Sequence, residues 1–285
     1  MIISEKTSRE PFQRHPMNTG SSYLMESDEE SFRLETKTDS KTFETQAKWS
    51  GIRPGMRVLD AGCGPGLTSA ILQRLVQPGG EVWGIDYSPK RVDYAARKYG
   101  KDSAIRFEVH DIRKPIEISG LFDCILVRFV LEYNLAEAMQ IVENLTRLLK
   151  SRGILCLIDL DYNCLSHFPL PEEIGKILMD LMRLLEEKYN FDPYAGRKLY
   201  SYLYDSGYRD ITVDLQAHHL IYGEVKEHDF FNWLKKAEMA TRKAQSLFSG
   251  YPGGHTGFFE DFLNFFRDPA RFTYTPVILC KGIRP

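Results

Sequence analysis

Short apolar runs alternate with amphipathic stretches from Met56 onward. This alternation is typical of strands and crossover helices in a parallel sheet, whose buried strands read as continuous apolar segments. The pattern therefore predicts an α/β fold with helices packed on the sheet. Strands are predicted at 56–61, 81–86, 105–109, 121–128, 153–160, 208–215 and 275–281.

Helix signals lie between and beyond these strands. Ser88 and Pro89 supply an N-cap and a first-turn proline, and Gly100 can end that helix. Asn134 and Glu137 resemble a capping box at the start of another helix. The apolar stripe of this second helix is expected to cover one face of the sheet and consists of Leu135, Ala138, Ile141, Val142, Leu145 and Leu149.

Three further segments carry helical patterns outside the sheet. A short helix is predicted at 29–37 in the polar first part of the chain, and a longer one at 171–189. The segment 224–272 is too long for a hairpin connection and has phenylalanines clustered near its end. We expect the last two segments to form a cap over the edge of the sheet.

Composition and charge limit the class of protein. The 285 residues are 43% hydrophobic, and the net charge of −2 creates no overall field for nucleic acid or an anionic membrane. No apolar run approaches the roughly 18 residues of a membrane-spanning helix, and the start lacks a secretory signal, so a cytoplasmic protein is expected. The cysteines are odd in number and widely spaced, which argues against disulfides or a zinc site: Cys63, Cys124, Cys156, Cys164 and Cys280.

A glycine-rich turn follows the first predicted strand in the sequence VLDAGCGPG. Gly62, Gly64 and Gly66 alternate, so the backbone can bend sharply and approach a ligand where a side chain would collide. Dinucleotide-binding folds usually have G-x-G-x-x-G, but the third glycine is replaced here by Leu67. Asp60, just before the turn, would repel a diphosphate and suits a ligand that carries positive charge.

With this turn, the chain resembles the class I S-adenosylmethionine-dependent methyltransferases, whose first motif is an acidic residue followed by G-x-G-x-G. The resemblance is good over residues 50–160. It implies a Rossmann-like, doubly wound sheet of seven mainly parallel strands with helical cap insertions, S-adenosylmethionine as cofactor and S-adenosylhomocysteine as product. It also implies that Asp86 holds the ribose hydroxyls, that Asp111 lies beside the adenine amino group, and that the backbone amide of Ile112 meets the adenine ring.

The predicted site therefore gathers residues from the turn and from successive strand ends. Phe129, Glu132 and Tyr133 follow the fourth strand, where donor and acceptor should meet, and are predicted to contact the substrate. Glu132 and Tyr133 could equally cap or flank the next helix. The predicted cofactor-binding residues are Asp60, Gly62, Cys63, Gly64, Gly66, Asp86, Tyr87, Asp111, Ile112 and Arg128.

The catalytic residues are not determined by the sequence. Holding donor and acceptor in line can supply much of the rate of methyl transfer, and a general base matters only for a hydroxyl or a protonated amine. No metal is predicted. Five histidines are conceivable bases, and no pattern in the sequence distinguishes among them: His110, His167, His218, His219 and His255.

Together these features predict a methyltransferase that acts on a small organic molecule by direct in-line transfer. The alternatives are an RNA or protein methyltransferase, a non-catalytic S-adenosylmethionine-binding protein and a dinucleotide oxidoreductase. No membrane partner is expected, and no oligomeric state is predicted. The predicted organisation is an N-terminal arm or lid (1–45), a cofactor-binding core (46–160), a helical cap insertion (161–193), a continuation of the core (194–223), a second cap insertion (224–272) and a final core strand (273–285).

Overall fold

The structure, a computed structural model, describes residues 34–35, 38–101 and 104–285. Within these residues, eight strands form one sheet in which β1 to β5 run parallel where they pair. The strand order is β3-β2-β1-β4-β5-β8. β7 pairs with the edge of β8 that faces away from β5, and the short β6 also pairs with β8. The strands are β1 (Arg57–Ala61), β2 (Glu81–Asp86), β3 (Ile105–Val109), β4 (Phe122–Arg128), β5 (Leu149–Leu160), β6 (His167–Phe168), β7 (Arg209–Tyr222) and β8 (Phe272–Ile283).

Helices cover both faces of the sheet. Neighbouring residues of β1 point to opposite faces, because side chains alternate along a strand. Val58 packs in a cluster with Phe43 and Leu72, whereas Leu59 packs in a cluster with Ile141 and Leu199. The helices are α1 (Ser40–Trp49), α2 (Leu67–Leu75), α3 (Pro89–Tyr99), α4 (Ala138–Thr146), α5 (Glu172–Tyr189), α6 (Ala195–Asp205), α7 (Glu227–Lys243) and α8 (Gly254–Arg267), with short 3₁₀ helices at Leu131–Tyr133 and Gln245–Phe248.

A separate aromatic cluster joins α5, α7 and α8. Trp233 is 2% exposed, and its ring centroid lies 5.1 Å from that of Phe266. Phe262 stacks on both Phe258 and Phe266. These rings give the helices outside the sheet a hydrophobic core of their own, and we call the helices and this core the cap.

The order of the strands creates a crevice at one edge of the sheet. β1 pairs with β2 on one side and with β4 on the other, so the winding reverses at β1. The carboxyl ends of these strands meet there, and ligands of doubly wound sheets bind outside such a reversal.

The predicted α/β class and the mainly parallel sheet are confirmed, with β6 as an additional two-residue strand. The predicted capping box is wrong: α4 begins at Ala138, because the amide of Asn134 donates to the Val130 carbonyl and Asn134 ends a 3₁₀ turn. Leu149, placed in that helix by the sequence pattern, begins β5. The helix predicted at 29–37 lies outside the described residues except for residues 34–35, which are helical.

Two further properties concern the helices and the cysteines of the described residues. None of their helices is long and apolar enough to cross a membrane. All five cysteines are free thiols, and Cys63, Cys124, Cys156 and Cys280 are buried. The thiols therefore pack as small apolar groups in the interior.

Candidate functional site

A cavity opens at the carboxyl ends of β1, β2 and β4, where the winding reverses. All the predicted cofactor-binding residues except Gly66 line it, together with the predicted substrate residues Phe129, Glu132 and Tyr133. The fold thus brings residues that follow separate strands to one cavity. The other lining residues are Leu34, Thr38, Pro65, Leu67, Thr68, Arg91, His110, Arg113, Val130, Asn134 and His218.

The three glycines of the turn have different surroundings, although all have positive φ angles. A Cβ atom on Gly62 would lie 2.3 Å from the Val130 side chain, and one on Gly66 would lie 2.7 Å from Ala95. Gly66 therefore permits the packing of α2 on α3 and does not line the cavity. A Cβ atom on Gly64 would meet no atom within 4 Å, so the backbone at Gly64 faces open space in the cavity.

Asp60 near the end of β1 is only 3% exposed. Its Oδ2 accepts hydrogen bonds of 2.7 Å from the hydroxyls of Thr68 and Ser69, in the first turn of α2. Burial raises the pKa of Asp60, although the two hydroxyls and the charge of Arg128 favour its ionised form. A cation in the cavity would also favour the ionised form.

Asp86 ends β2 and holds the glycine turn in place. Its Oδ2 accepts a hydrogen bond of 3.0 Å from the Gly64 N–H, and its Oδ1 accepts one of 2.9 Å from the Ser88 N–H. Arg91 in α3 donates to the same Oδ1 through Nε at 3.2 Å and lies within 3.1 Å through Nη2. The Asp86 carboxylate is therefore engaged on both oxygens beside the cavity.

Asp111 and Ile112 follow β3, as the sequence predicts. Arg113 donates to both oxygens of Asp111, at 2.8 and 3.0 Å. Burial raises the pKa of Asp111, but the hydrogen bonds and charge of Arg113 outweigh it, so the net shift is downward. The Asn144 amide donates to the Ile112 carbonyl at 3.0 Å, which fixes this loop against α4.

Arg128 and Phe129 mark the end of β4. The Arg128 Nε donates to the Gln46 Oε1 at 3.0 Å, and its guanidinium lies 4.0 Å from the centre of the Phe129 ring. Burial lowers the pKa of Arg128 to about 10, against the opposing effects of Asp60 and Asp159. Arg128 thus remains a cation at neutral pH, oriented by the side chain of Gln46 in α1.

A buried pair of acids lies beyond the end of β4. Glu132 is 3% and Asp159 1% exposed, and the Glu132 N–H donates to the Asp159 Oδ2 at 3.1 Å. The Asn163 amide donates to the Glu132 Oε2 at 2.9 Å. Burial and the neighbouring Glu132 both raise the pKa of Asp159. Together the two carboxyls therefore bind a proton more readily than separate acids would.

The segment before α1 reaches the cavity through Leu34 and Thr38. The intervening Glu35 carboxylate accepts hydrogen bonds from the Tyr94 hydroxyl at 2.8 Å, from Lys98 at 2.6 and 2.7 Å and from the Tyr99 hydroxyl. Burial raises the pKa of Glu35, but these donors outweigh it and lower the pKa overall. Glu35 therefore holds this segment against α3, and its action as a lid stays a prediction.

The five histidines considered as bases lie in different surroundings. Only His110 and His218 line the cavity. His167 and His219 contact Trp233 of the cap, and the exposed His255 lies in α8. Burial lowers the pKa of His167 to about 4, so this side chain stays neutral.

Several lining residues were missed by the sequence reasoning. Arg91 and Arg113 each pair with a predicted acid, five and two positions earlier in the chain. Thr68 lies two residues beyond the glycine turn and donates a hydrogen bond to Asp60. The close spacing of these partners is a usable sequence signal, but no such signal singles out His218, which comes from a strand far along the chain.

A doubly wound sheet with acids at three successive strand ends around one cavity is typical of proteins that bind a nucleoside-type cofactor. Comparison with known proteins narrows this class. A family model described as a methyltransferase domain matches residues 52–207. This match covers more than half of the chain, so the chain belongs to the methyltransferase domain family. The predicted membership of a methyltransferase family is thereby confirmed. The donor and the reaction of this chain stay predictions.

Individual relatives are more distant. The chain is 32% identical over 162 residues to an uncharacterised 37.1 kDa protein in transposon TN4556 of Streptomyces fradiae, covering 56% of this chain and 46% of that protein. It is 36% identical over 112 residues to a ubiquinone biosynthesis O-methyltransferase of Xanthomonas oryzae pv. oryzae, covering 38% and 44%. The chain thus spans less than half the length of these relatives.

A solved structure with a similar fold is phosphoethanolamine N-methyltransferase 2 of Haemonchus contortus, in complex with S-adenosyl-L-methionine. Its TM-score is 0.55 at 17% identity, over 91% of this chain and 57% of that one. At this identity the likeness concerns the fold alone.

Proposed function

We propose that the protein transfers the methyl group of S-adenosylmethionine to a small organic molecule by direct in-line displacement. The observation that carries this proposal is that Asp60, Asp86 and Asp111 line the same cavity as Phe129 and Glu132. A donor held by the acids would have its reactive end near the carboxyl end of β4. The acceptor would bind in the adjoining part of the same cavity.

The residues of the cavity fit S-adenosylmethionine. Asp86 and Asp111 line the cavity with carboxylates that could accept hydrogen bonds from a ribose and from an adenine amino group, and the backbone at Gly64 leaves space for close approach. Asp60 lies at the end of the cavity that adjoins β4, where a carboxylate stabilises a cationic ligand. When bound, S-adenosylmethionine supplies a methyl group on a positively charged sulfur with a neutral leaving group.

The residues of the chain contribute position and charge. Tyr87 and Ile112 border the proposed adenosine end of the cavity, and Phe129 and Tyr133 border the acceptor end. Fixing two reactants in line is worth about 7–11 kcal/mol in favourable cases. No covalent intermediate with the protein is required, because the acceptor attacks the methyl carbon directly.

Two observations favour a small acceptor over RNA or protein. The acceptor end adjoins the cap, where the ring of Tyr133 lies 5.5 Å from that of Phe191 in the cap's aromatic cluster. The net charge of −2 offers no general attraction to a nucleic acid backbone. The relative from Xanthomonas oryzae, named an O-methyltransferase of ubiquinone biosynthesis, agrees with an acceptor of this kind.

The test is a screen of fractionated cell extract with methyl-labelled S-adenosylmethionine. We expect label in the metabolite fraction with the wild-type protein and less label with Asp86→Ala, which should bind the donor poorly. Lys176→Ala is a matched control, because Lys176 is an exposed residue of α5 paired only with Glu172 in the described residues. Label confined to RNA or protein would contradict the proposed acceptor class, and donor binding without transfer to any fraction would indicate a non-catalytic binding protein.

A further inference from the structure

The pairing of β7 with β8 is interrupted opposite Pro276. Ala217 faces Pro276 and His219 faces Thr275, so His218 is an extra residue between two paired positions. Pro276 has no N–H to donate to the neighbouring strand, which explains why the regular pairing breaks there. Such a bulge redirects the side chains of a strand, and bulges are frequent beside active sites.

The bulge directs His218 into the cavity, whereas its neighbour faces elsewhere. The imidazole of His218 lines the cavity, and its centre lies 4.9 Å from that of the Phe129 ring in an edge-on arrangement. The His219 ring nitrogen Nδ1 lies 3.4 Å from the Thr275 hydroxyl, and this ring also contacts Trp233 of the cap. His218 is therefore the histidine of this strand that can reach a bound acceptor.

Phe129 fixes the place of His218 relative to the proposed reaction. Phe129 directly follows β4, has a φ angle of 57° and donates its N–H to the Ile158 carbonyl at 2.9 Å. A phenylalanine in this left-handed conformation is strained, and such strain is concentrated at functional sites. The other lining histidine, His110, contacts Glu108 and lies beside Asp111, at the opposite, adenosine end.

We propose that His218 is the general base of the reaction and that the acceptor atom is a hydroxyl oxygen. This inference rests on the proposed function. The hydroxyl oxygen forms a bond with the methyl carbon, the carbon–sulfur bond breaks and its electron pair stays on sulfur. The hydroxyl proton passes to a ring nitrogen of His218. The products are a methyl ether, neutral S-adenosylhomocysteine and an imidazolium that then loses its proton to water.

Other titratable and charged groups border the cavity that His218 lines. Asp60 from β1 and Glu132 from the 3₁₀ helix are acids, Arg128 from β4 is a cation, and the adjacent His219 has its ring centre 4.2 Å away. Behind Glu132 lies the buried carboxyl of Asp159. Variants of His218 are therefore needed to separate its titration from that of these neighbours.

A binding measurement tests the role without knowledge of the acceptor. A protonated His218 near the reactive methyl group would repel the positively charged donor but not the neutral product. As the pH falls from 8 to 5.5, we expect the affinity for S-adenosylmethionine relative to S-adenosylhomocysteine to fall about tenfold, which equals a change of one unit in the pKa of His218. Calorimetry with both ligands measures this ratio.

Two variants give the comparison its control. His218→Gln should abolish most of the pH dependence of the ratio, whereas His219→Gln should retain it, because His219 faces Thr275 and the cap. A ratio that varies with pH equally in the wild type and His218→Gln would overturn the proposal. So would a ratio independent of pH in the wild type. If neither ligand binds at any pH, the proposed function itself fails, which is a distinguishable outcome.

Nuclear magnetic resonance of the wild-type protein tests the same point without a substitution that could impair folding. The ring proton signal of His218, assigned through its contact with Phe129, should titrate about one pH unit lower with S-adenosylmethionine than with S-adenosylhomocysteine. Equal titration with the two ligands would contradict the proposal. With an acceptor found by the labelled-donor screen, His218→Gln should lower kcat by about 10²- to 10⁴-fold with little change in KM.

Discussion

Replacement of Asp86 by alanine is the sharpest test of the proposed donor site. Its side chain is 8% exposed and accepts hydrogen bonds from two backbone N–H groups, those of Gly64 and Ser88, and from the guanidinium of Arg91. A carboxylate has about four acceptor positions, so these contacts nearly fill it. In the proposed donor site, a ribose hydroxyl that binds Oδ1, the oxygen that both Arg91 nitrogens contact, would replace part of the contact with Arg91.

The expected losses follow from these contacts. Hydrogen bonds to a charged group contribute about 1.5–3 kcal/mol, so Asp86→Ala should weaken donor binding roughly 10- to 150-fold. The variant also removes the carboxylate that pairs with Arg91, whose side chain is 7% exposed. Removal of one member of a buried ion pair costs about 3–5 kcal/mol of the free energy of unfolding.

Arg91→Met separates the two effects. It should lower the free energy of unfolding, because Asp86 loses its cationic partner. It should not weaken donor binding, because it frees carboxylate oxygen for the ribose. Calorimetry with S-adenosylmethionine and urea unfolding measure the two quantities. An unchanged donor affinity in folded Asp86→Ala would refute the ribose assignment, and an equal loss of affinity in Arg91→Met would refute competition by the arginine.

Four further predictions concern other parts of the site. Glu35→Gln should speed donor dissociation in stopped-flow measurements, because it weakens the attachment of its segment to α3. Glu173→Gln, on the exposed side of α5, is the control. Equal dissociation rates in the wild type and Glu35→Gln would reject this role of Glu35. Gly62→Ala should lower the melting temperature more than Gly64→Ala, because only a Cβ atom at position 62 clashes with a neighbouring side chain. Gly64→Ala should weaken donor binding at a smaller cost in stability. The reverse order of melting temperatures would contradict the roles given to the two glycines. Asp60→Asn should weaken binding of S-adenosylmethionine more than that of adenosine in calorimetry, and equal losses would contradict the placement of the cation. Burial raises the pKa of Asp60 in the folded state. The stability that this group contributes at low pH is therefore lost as the pH rises through the folded pKa. Over that range, the melting temperature of the wild type should fall relative to that of Asp60→Asn.

Much of the core could be predicted because its signals are local. The buried strands contain short apolar runs, and β2 and β3 have the predicted bounds. Asp86 directly follows its run and Asp111 comes soon after its own, so the order of the strands was enough to bring both to one cavity. The glycine turn was equally readable, although Gly66 proved to permit helix packing.

The remaining features depend on contacts between distant parts of the chain. The predicted capping box failed because the Asn134 amide bonds to the Val130 carbonyl, and the 3₁₀ turn it ends is packed under the cap. His218 was indistinguishable from four other histidines because its direction is set by Pro276 on another strand. Alternation within a strand cannot reveal a bulge, since the bulge changes which face every later residue occupies.

The charges of the cavity also indicate how the donor lies. Asp86 and Asp111 are each paired with an arginine, so the proposed adenosine end holds two nearly neutral ion pairs. Asp60 is bound by two hydroxyls, and the nearby Arg128 donates to Gln46. A neutral adenosine suits the first end, and a cationic sulfonium and ammonium suit the second. In this orientation the reactive methyl group would lie at the end of β4, beside Phe129 and His218. The distribution of charge and the proposed position of the base therefore support the same orientation of the donor.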